Sequence, residues 1–267
     1  MENEYAKLRP VIAVLGQRGV GKTYLLMQLS IRVEKAVIFP KIWKEWEGLS
    51  EHIIRVGYGV IRREKFDPRK YLKRHNGACI IFDDLSVAIR STSIQSIIDL
   101  ISLSRHYGCQ IIAAFPSPEI IPRKLFNLFE GFIVFRNNIS PSKWREYLVD
   151  GRLAKWIASL SRQLRDHEFF FVARDGRVSK VYNGSVEDVE SFITDLTIRE
   201  EQRVEKRTLA NKQYQHKITD KISELAMNVN LSYADIAERA GTTIETVSTI
   251  ISRLRRRGIN IPYRRLS

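Results

Sequence analysis

The stretch VIAVLGQRGVGKT, residues 11–23, decides the fold of this 267-residue chain. Its first five residues are an apolar run, which predicts a buried parallel strand. Residues 16–23 match the pattern G-x-x-x-x-G-K-[ST], and apolar positions at helical spacing follow over residues 22–34. Glycines allow the backbone to turn successive N–H groups toward one point, where the start of a helix adds partial positive charge. The stretch therefore predicts a strand, a phosphate-binding loop and a helix, in that order.

The loop carries the side chains that a nucleoside triphosphate site needs. Lys22 is expected to reach the β- and γ-phosphates, and the Thr23 hydroxyl is expected to bind Mg²⁺. A chance glycine turn is the alternative, and the strand and helix on either side argue against it. The predicted nucleotide-binding residues are Gly16, Gln17, Arg18, Gly19, Val20, Gly21, Lys22, Thr23 and Tyr24.

A second motif supplies two carboxylates. The run Ile80-Ile81-Phe82 predicts a buried strand that ends in Asp83 and Asp84. Asp83 is expected to hold Mg²⁺ through water, and Asp84 to orient or deprotonate the attacking water. The alternative for Asp84 is a cap on the following helix. The sequence has no NKxD run for guanine recognition, so ATP and Mg²⁺ are the predicted ligands.

The rest of the first 184 residues repeats the alternation of strands and helices. Apolar runs predict further strands at 36–39, 53–56, 110–115 and 132–135, with helical segments among them. This alternation predicts an α/β fold, a P-loop three-layer sandwich with a mainly parallel sheet. Asp175-Gly176, between two apolar runs, predicts a hairpin that closes one edge of the sheet. We expect residues 1–184 to form this domain.

One segment of this domain resembles a known family. Ser104-Arg105-His106-Tyr107-Gly108, followed by the strand at 110–115, is similar to the matching segment of the HerA–FtsK-type ATPases, and the resemblance extends over residues 9–183. These are ring-forming motors that pump DNA. The resemblance implies a homo-oligomer such as a hexameric ring, with ATP at subunit interfaces and double-stranded DNA in a basic pore. It also implies an arginine supplied in trans to the γ-phosphate.

Arg105 is the first candidate for that arginine and Arg123 is the second. The alternative for Arg105 is a residue at a helix end, near the negative end of the helix dipole. The chain departs from the family at two positions: Asp84 stands where the family usually has Glu, and Pro116 stands where it usually has Gln. Because a proline side chain cannot sense a phosphate, the second departure favours a slow ATPase or a nucleotide-dependent switch.

The last third of the chain predicts a linker and a small helical domain. Residues 185–217 indicate a highly charged helix, either a solvated linker or an arm that contacts DNA or a neighbouring subunit. Residues 218–267 predict three helices with a glycine turn between the last two, at Gly241. This pattern resembles the winged helix-turn-helix of microbial regulators.

The third helix of this domain has two expected faces. Ile244, Val247, Ile251 and Leu254 are expected to pack on the other helices, while the opposite face is expected to meet a DNA major groove. Residues 259–266 are expected to form the wing. A protein-interaction domain with a solvated basic face is the alternative. The predicted DNA-binding residues are Thr243, Thr246, Thr249, Arg253, Arg256, Arg264 and Arg265.

Composition supports a soluble protein with a polyanionic partner. Lys and Arg number 44 against 30 Asp and Glu, a net charge of +14. No apolar run is long enough for a membrane helix, and the first ten residues have no signal-peptide core. We therefore expect no membrane partner and a cytoplasmic location, which is the host cytoplasm if the protein is viral. Cys79 and Cys109 are expected to be buried thiols, and the scattered histidines predict no metal site.

Two classes of function remain open from the sequence. The first is an ATP-hydrolysing, DNA-binding motor of a virus or mobile element that couples hydrolysis to DNA translocation, packaging or remodelling. The second is a DNA-binding regulator, or a replication or partition initiator, whose nucleotide site acts as a switch with weak ATPase activity. A small-molecule kinase would need an acceptor site that the sequence does not show.

Overall fold

The computed structural model describes residues 9–61, 66–89, 94–146, 148, 150–228 and 230–262, without the side chains at 200, 204 and 207. The chain divides into two compact units, Met1–Glu201 and Gln202–Ser267. The predicted divisions at 184/185 and 217/218 stay predictions.

The first unit is built on a sheet of eight described strands in the order β3-β2-β4-β5-β1-β6-β7-β8. Strands β1 to β6 are parallel, and β7 and β8 are antiparallel at one end of the sheet. The predicted mainly parallel sheet is thus confirmed. The bounds are β1 Val11–Leu15, β2 Ala36–Phe39, β3 Ile53–Arg55, β4 Cys79–Phe82, β5 Gln110–Phe115, β6 Gly131–Phe135, β7 Glu168–Ala173 and β8 Tyr182–Asn183.

Helices cover both faces of this sheet. They are α1 Lys22–Ser30, α2 Pro68–Arg74, α3 Ser86–Ile89, α4 Ile94–Ser104, α5 Arg123–Phe126, α6 Pro141–Arg145 and α7 Gly151–Gln163. The long helix α8, Val186–Ala226, begins in the same unit. Short 3-10 turns occupy Trp43–Trp46, Tyr58–Val60, Arg105–Tyr107 and Pro118–Ile120.

Alternating strand residues divide the apolar core into two layers. Val11, Ala13 and Leu15 face one layer with α4 and α7, whereas Ile12 and Val14 face the other with α1 and the start of α8. All five residues of β1 are buried, as expected for a central parallel strand. The result is a three-layer α/β sandwich, the P-loop NTPase fold predicted from the sequence.

The strand directions define two edges that matter for function. The carboxyl ends of β1, β2, β4, β5 and β6 meet at one edge, which we call the carboxyl edge, and their amino ends meet at the opposite amino edge. Strand β7 is antiparallel to β6, so its first residues also lie at the carboxyl edge. Loops at the carboxyl ends of parallel strands are where α/β folds place ligand sites.

The second unit is a small helical domain. It contains the end of α8, α9 Tyr233–Ala240 and α10 Ile244–Arg256. Ser232 and Asp235 form a capping box, in which Ser232 N donates to Asp235 Oδ2 at 2.8 Å and Asp235 N donates to Ser232 Oγ at 3.1 Å. Gly241 ends α9 at φ 68°, a left-handed conformation that favours glycine.

Several predicted elements differ from the structure in their bounds. The charged segment and the first helix of the C-terminal domain form one helix, α8, because no Gly or Pro interrupts residues 186–226. After β6 the chain forms two helices, α6 and α7, since Asp150 caps a new helix by accepting the Arg152 N–H at 2.7 Å. The second hairpin strand is reduced to Tyr182–Asn183 and a bridge between Val172 and Val178.

The cysteines and two tryptophans of this unit differ in burial. Both cysteines are buried, and burial raises the pKa of Cys79 to about 12, so this thiol stays protonated at neutral pH. Trp144 is buried, but Trp156 is 48% exposed because α7 packs through Ala154 and Ile157 instead. Within the described residues, no helix is both long enough and apolar enough to cross a membrane.

Candidate functional site

The loop after β1 is fixed by the strands on both sides of it. Gly16 N donates to Phe115 O of β5 at 3.3 Å, and Gln17 N donates to Arg136 O just beyond β6 at 3.0 Å. A Cβ atom on Gly16 would lie 2.7 Å from Cβ of Phe135, so no side chain fits there. The close approach explains why the first position of the motif requires glycine.

Two further glycines give the loop its turn. Gly19 has φ 80° and Gly21 has φ 101°, conformations that other residues adopt only with strain. Gly21 is also crowded, since a Cβ there would lie 2.5 Å from Nδ1 of His167. The loop is therefore shaped by backbone conformation and by one neighbouring side chain.

His167 reaches the loop because β7 runs antiparallel to β6. Its backbone N–H donates to Val20 O at 3.0 Å, and its φ of 67° is positive, a conformation found at no other described non-glycine residue. The ring of Tyr24 meets the His167 ring edge-on, with centroids 5.8 Å apart. Two exposed aromatic rings thus lie beside the start of α1.

Lys22, the first residue of α1, directs its ammonium group back to the loop. Nζ donates to the carbonyl oxygens of Gly16 and Gln17, each at 2.7 Å. Burial lowers the pKa of Lys22 to about 8; the nearby Asp84 and Asp83 act in the opposite direction, and Lys41 and Arg18 lower it further. A phosphate anion at this loop would favour the charged ammonium form.

Thr23 and Asp83 meet as the two motifs predicted. The Thr23 hydroxyl donates to Asp83 Oδ1 at 2.7 Å. The other carboxylate oxygen, Oδ2, accepts from the Lys41 backbone N–H at 3.2 Å and from the Trp46 indole N–H at 3.3 Å. A hydroxyl and a carboxylate side by side are oxygen ligands of the kind that Mg²⁺ binds, together with water and substrate phosphates. The donor set therefore fits Mg²⁺.

These two residues are too few to hold a metal ion alone. No group of three or more His, Cys, Asp or Glu side chains able to do so occurs in the described part of the chain. Any Mg²⁺ at Thr23 and Asp83 would take its remaining ligands from phosphate and water.

Asp84 has partners for both of its carboxylate oxygens. Oδ1 accepts from the backbone N–H of Ser86 at 3.2 Å and from the Ser86 hydroxyl at 2.5 Å. Oδ2 accepts from Lys41 Nζ at 2.5 Å. The helix-capping contact that the sequence offered as an alternative is therefore present, alongside an ion pair that faces the phosphate loop.

These residues line one cavity of about 480 Å³ at the carboxyl edge. The predicted loop residues Gly16, Gln17 and Val20 are not in its lining, and the Val20 side chain is buried. Pro116, which follows β5 and stands at the sensor position, is in the lining. The lining residues are Arg18, Gly19, Gly21, Lys22, Thr23, Tyr24, Lys41, Ile42, Glu45, Asp83, Asp84, Pro116 and His167.

Sequence reasoning missed Lys41 and His167. Lys41 follows β2, the strand that pairs with β4, and a polar residue at that point was the signal that could have found it. His167 could be found only with the knowledge that β7 is antiparallel and starts at the carboxyl edge.

The candidate trans arginine lies at the opposite edge of the sheet. Arg105, between α4 and β5, forms an ion pair with Glu130, whose side chain is almost completely buried. Glu130 also accepts the Val11 N–H at 2.7 Å through Oε2. Arg105 therefore makes its main contact away from the nucleotide site of its own chain, and Arg123 is exposed on α5. A role for either at a nucleotide requires a second copy of the chain.

The helix α10 presents part of the predicted DNA-binding set. Thr243 caps the helix by accepting the Thr246 N–H at 3.2 Å, and the Thr249 hydroxyl donates to Glu245 O at 2.9 Å. Arg253 and Arg256 are exposed. Arg264 and Arg265, with the second half of the predicted wing (263–266), lie outside the described residues.

One packing prediction for α10 is wrong. Ile244 was expected in the core but is 50% exposed, and Ile250 is buried in its place together with Val247 and Ile251. Because Ile244 is the first helical residue, it lies at the end of the apolar stripe, where the other helices no longer cover it. Glu245 and Ser252 are also exposed and flank the predicted basic face.

The helical unit matches a known family. Residues 206–265 match the family model of the Crp-like helix-turn-helix domain. No curated protein matches the chain.

Three solved structures illustrate the similarity of the first unit. The genome packaging NTPase B204 of Sulfolobus turreted icosahedral virus 2, in complex with ATP-gammaS, is 12% identical, with TM-score 0.49 over 65% of this chain and 96% of that one. The cytoplasmic domain of the type VII secretion ATPase EccC of Thermomonospora curvata is 16% identical, with TM-score 0.42 over 63% of this chain and 24% of that one. The N-terminal domain of zonular occludens toxin from Neisseria meningitidis is 14% identical, with TM-score 0.34 over 49% and 78%.

Proposed function

We propose that the chain is an ATP-hydrolysing, DNA-binding motor of a virus or mobile element, which couples hydrolysis to translocation, packaging or remodelling of double-stranded DNA. The observation that carries the proposal is the hydrogen bond of 2.7 Å between Thr23 and Asp83, which joins the phosphate loop to the second motif at one cavity. The basic helix α10 in the second unit supplies the DNA-binding part of the proposal.

The residues of the two motifs at the carboxyl edge each have a proposed role. The loop from Gly16 to Thr23 binds the phosphates through its backbone N–H groups, and the Lys22 ammonium neutralises their charge. Mg²⁺ held by Thr23 and Asp83 would stabilise negative charge on the phosphate oxygens. Asp84 orients the attacking water and accepts its proton, for which it must exchange one of its present partners.

Assembly is part of this proposal. In a homo-oligomer such as a hexameric ring, an arginine of one copy would approach the nucleotide of the next, and Arg105 stays the first candidate with Arg123 second. Arg105 would then have to leave Glu130 or act together with it. We also propose that the protein is located in the cytoplasm, where the proposed DNA partner would be found.

A nucleotide-switched regulator or initiator is the second candidate. Two observations favour it: Pro116 lines the cavity at the sensor position, and both oxygens of Asp84 are already bonded. Such a protein would bind ATP, change its assembly or its affinity for DNA, and hydrolyse slowly.

ATP turnover with and without duplex DNA separates the two candidates. For a motor we expect duplex DNA to stimulate turnover severalfold, and Lys22→Ala to abolish it. Lys44→Ala, the loss of an exposed lysine outside the cavity lining, is the matched control and should leave turnover unchanged. If ATP changes oligomeric state or DNA binding without DNA-stimulated turnover, the motor proposal is wrong and the switch is favoured.

DNA binding has its own test. Arg253→Ala combined with Arg256→Ala should weaken duplex binding and reduce the salt dependence of the affinity by about two units of slope, one for each lost phosphate contact. Arg152→Ala with Lys155→Ala removes the same charge from exposed positions of α7 and serves as the control. Equal losses in the two double variants would show that only the net charge matters.

A further inference from the structure

Lys41 has three features that the proposed mechanism does not use. It follows Pro40 at the end of β2, next to the strand that carries Asp83 and Asp84. Its backbone N–H donates to Asp83 Oδ2 at 3.2 Å, which fixes where the residue stands. Its ammonium group lies in the cavity lining and bonds Asp84 Oδ2 at 2.5 Å.

The cavity needs a group that can distinguish ATP from ADP. Pro116 has no side-chain donor, so the end of β5 cannot supply one. Arg18, Lys22 and Lys41 are the cations in the lining, and Lys22 belongs to the loop, where it donates to Gly16 O and Gln17 O. Lys41 bonds instead to the carboxylate proposed to act on water.

The charges around Lys41 make its bond to Asp84 exchangeable. The Lys41 side chain is 33% exposed and so is accessible to a ligand in the cavity, whereas Asp84 is 6% exposed and is also held by Ser86 through its other oxygen. Lys41 is also near enough to Lys22 to lower the pKa of that residue. A third phosphate group at the end of the loop would be a second anion within reach of the same ammonium group.

We propose that Lys41 is the residue of this chain that senses the γ-phosphate of ATP. With ADP, its ammonium group stays on Asp84; with ATP, it moves to the γ-phosphate and leaves Asp84 Oδ2 free to accept a proton from water. The inference rests on the proposed ATPase site and assigns to β2 the sensing role that Pro116 cannot perform on β5.

The test compares binding of two nucleotides, without hydrolysis. Calorimetry with Mg²⁺ gives the affinities for ADP and for an ATP analogue with a methylene bridge between the β- and γ-phosphorus atoms. In Lys41→Met, the preference for the analogue over ADP should fall about tenfold, the effect of one charge-assisted hydrogen bond, while the ADP affinity changes less than about twofold. Lys41→Arg should retain most of the preference, and Lys44→Met should retain all of it.

A second measurement keeps the inference testable if Lys41→Met folds poorly. Asp84→Asn removes the competing carboxylate charge, so the preference for the analogue should rise severalfold when Lys41 is present. In the double variant Lys41→Met, Asp84→Asn, that rise should be markedly smaller, because only the relief of repulsion between the carboxylate and the γ-phosphate remains.

The outcomes separate this inference from the proposed function. An unchanged preference in Lys41→Met, with normal nucleotide binding by the wild-type chain, overturns the sensing role alone. A rise on Asp84→Asn that is equally large without Lys41 overturns it as well. A wild-type chain that binds neither nucleotide overturns the proposed function, and the sensing role with it.

Discussion

The two edges of the central sheet each hold carboxylates that are almost completely buried, but these have different kinds of partners. At the amino edge, Glu130 bonds the Val11 backbone N–H and pairs with Arg105, so its partners belong to the fold. At the carboxyl edge, Asp83 and Asp84 also bond buried groups such as the Trp46 indole N–H, but two of their partners, the Thr23 hydroxyl and the Lys41 ammonium group, line a cavity. A ligand can replace these two partners at the carboxyl edge, which is what separates a reactive carboxylate from a structural one.

The strongest test of this difference is Asp84→Asn. Asn keeps the helix cap but breaks the ion pair with the partly exposed Lys41, so the free energy of unfolding should fall by about 1–2 kcal/mol. Turnover should fall by roughly 10²–10⁴-fold, because an amide cannot accept the proton of the attacking water. Steady-state ATPase assays and urea unfolding measure the two quantities.

Asp67→Asn is the matched control for this substitution. Asp67 caps α2 through the backbone N–H groups of Arg69 and Lys70 and does not line the cavity. Both activity and stability should be preserved in it. A fall in turnover of less than about tenfold in Asp84→Asn would assign Asp84 to helix capping alone.

At the amino edge the main response should be in stability. Glu130→Gln leaves Arg105 without its charged partner and, since Arg105 is partly exposed, should cost about 1–2 kcal/mol of unfolding free energy. The amide oxygen can still accept the Val11 N–H, so the loss reports on the ion pair. Combining it with Arg105→Met should recover at least about half of that cost, because replacing both charges of a buried pair is much less harmful than removing one. Urea unfolding of the wild-type chain, the two single variants and the double variant completes a double-mutant cycle. If the two single losses of unfolding free energy simply add in the double variant, the result contradicts an interaction between Arg105 and Glu130.

The contrast between the edges also explains what the sequence could and could not predict. The strand, loop and helix at residues 11–30 are encoded locally, since glycine positions and apolar spacing act within a few residues. Asp83 could be assigned to Thr23 because the two motifs have a known relation. Lys41 has only a weak signal, a polar residue directly after β2, and its role becomes clear only once β2 is known to lie beside β4, a long-range pairing that no local pattern carries.

The same reasoning applies to His167 and to α10. His167 meets Gly21 only because β7 reverses direction, and neither residue signals the other in sequence. On α10 the apolar spacing correctly predicted burial of Val247, Ile251 and Leu254. It failed at Ile244, because periodicity gives the face of a helix but not where the covering helices stop.

A smaller effect is expected from the loop itself. Gly21→Ala forces a side chain into φ 101° and against the His167 ring, and should weaken ADP binding by about 2 kcal/mol. Gly19→Ala is the control, since Gly19 also has a positive φ, of 80°, but nothing within 4 Å of an added Cβ. The difference between the two variants isolates the contact with His167.

The double variant Gly21→Ala, His167→Gly completes this test. Glycine at 167 removes the ring and suits the observed φ of 67°. Binding measured by calorimetry should return to about the level of Gly19→Ala. If binding does not return to that level, the backbone strain at Gly21, and not the His167 ring, is what weakens nucleotide binding.

Mixing two inactive variants tests whether the amino edge also takes part in catalysis. If Arg105 serves the nucleotide of a neighbouring copy, the amino edge is also catalytic. Copies with Arg105→Met keep an intact phosphate loop, and copies with Lys22→Ala keep an intact arginine. Mixed before assembly in equal amounts, two such inactive populations should recover about a quarter of wild-type turnover, since one interface in four would combine both intact parts.

Circular dichroism must show that both chains are folded, because Arg105→Met also breaks the pair with Glu130. With folded chains and no recovery, Arg105 belongs to the ion pair alone, and Arg123→Met is the next variant to mix.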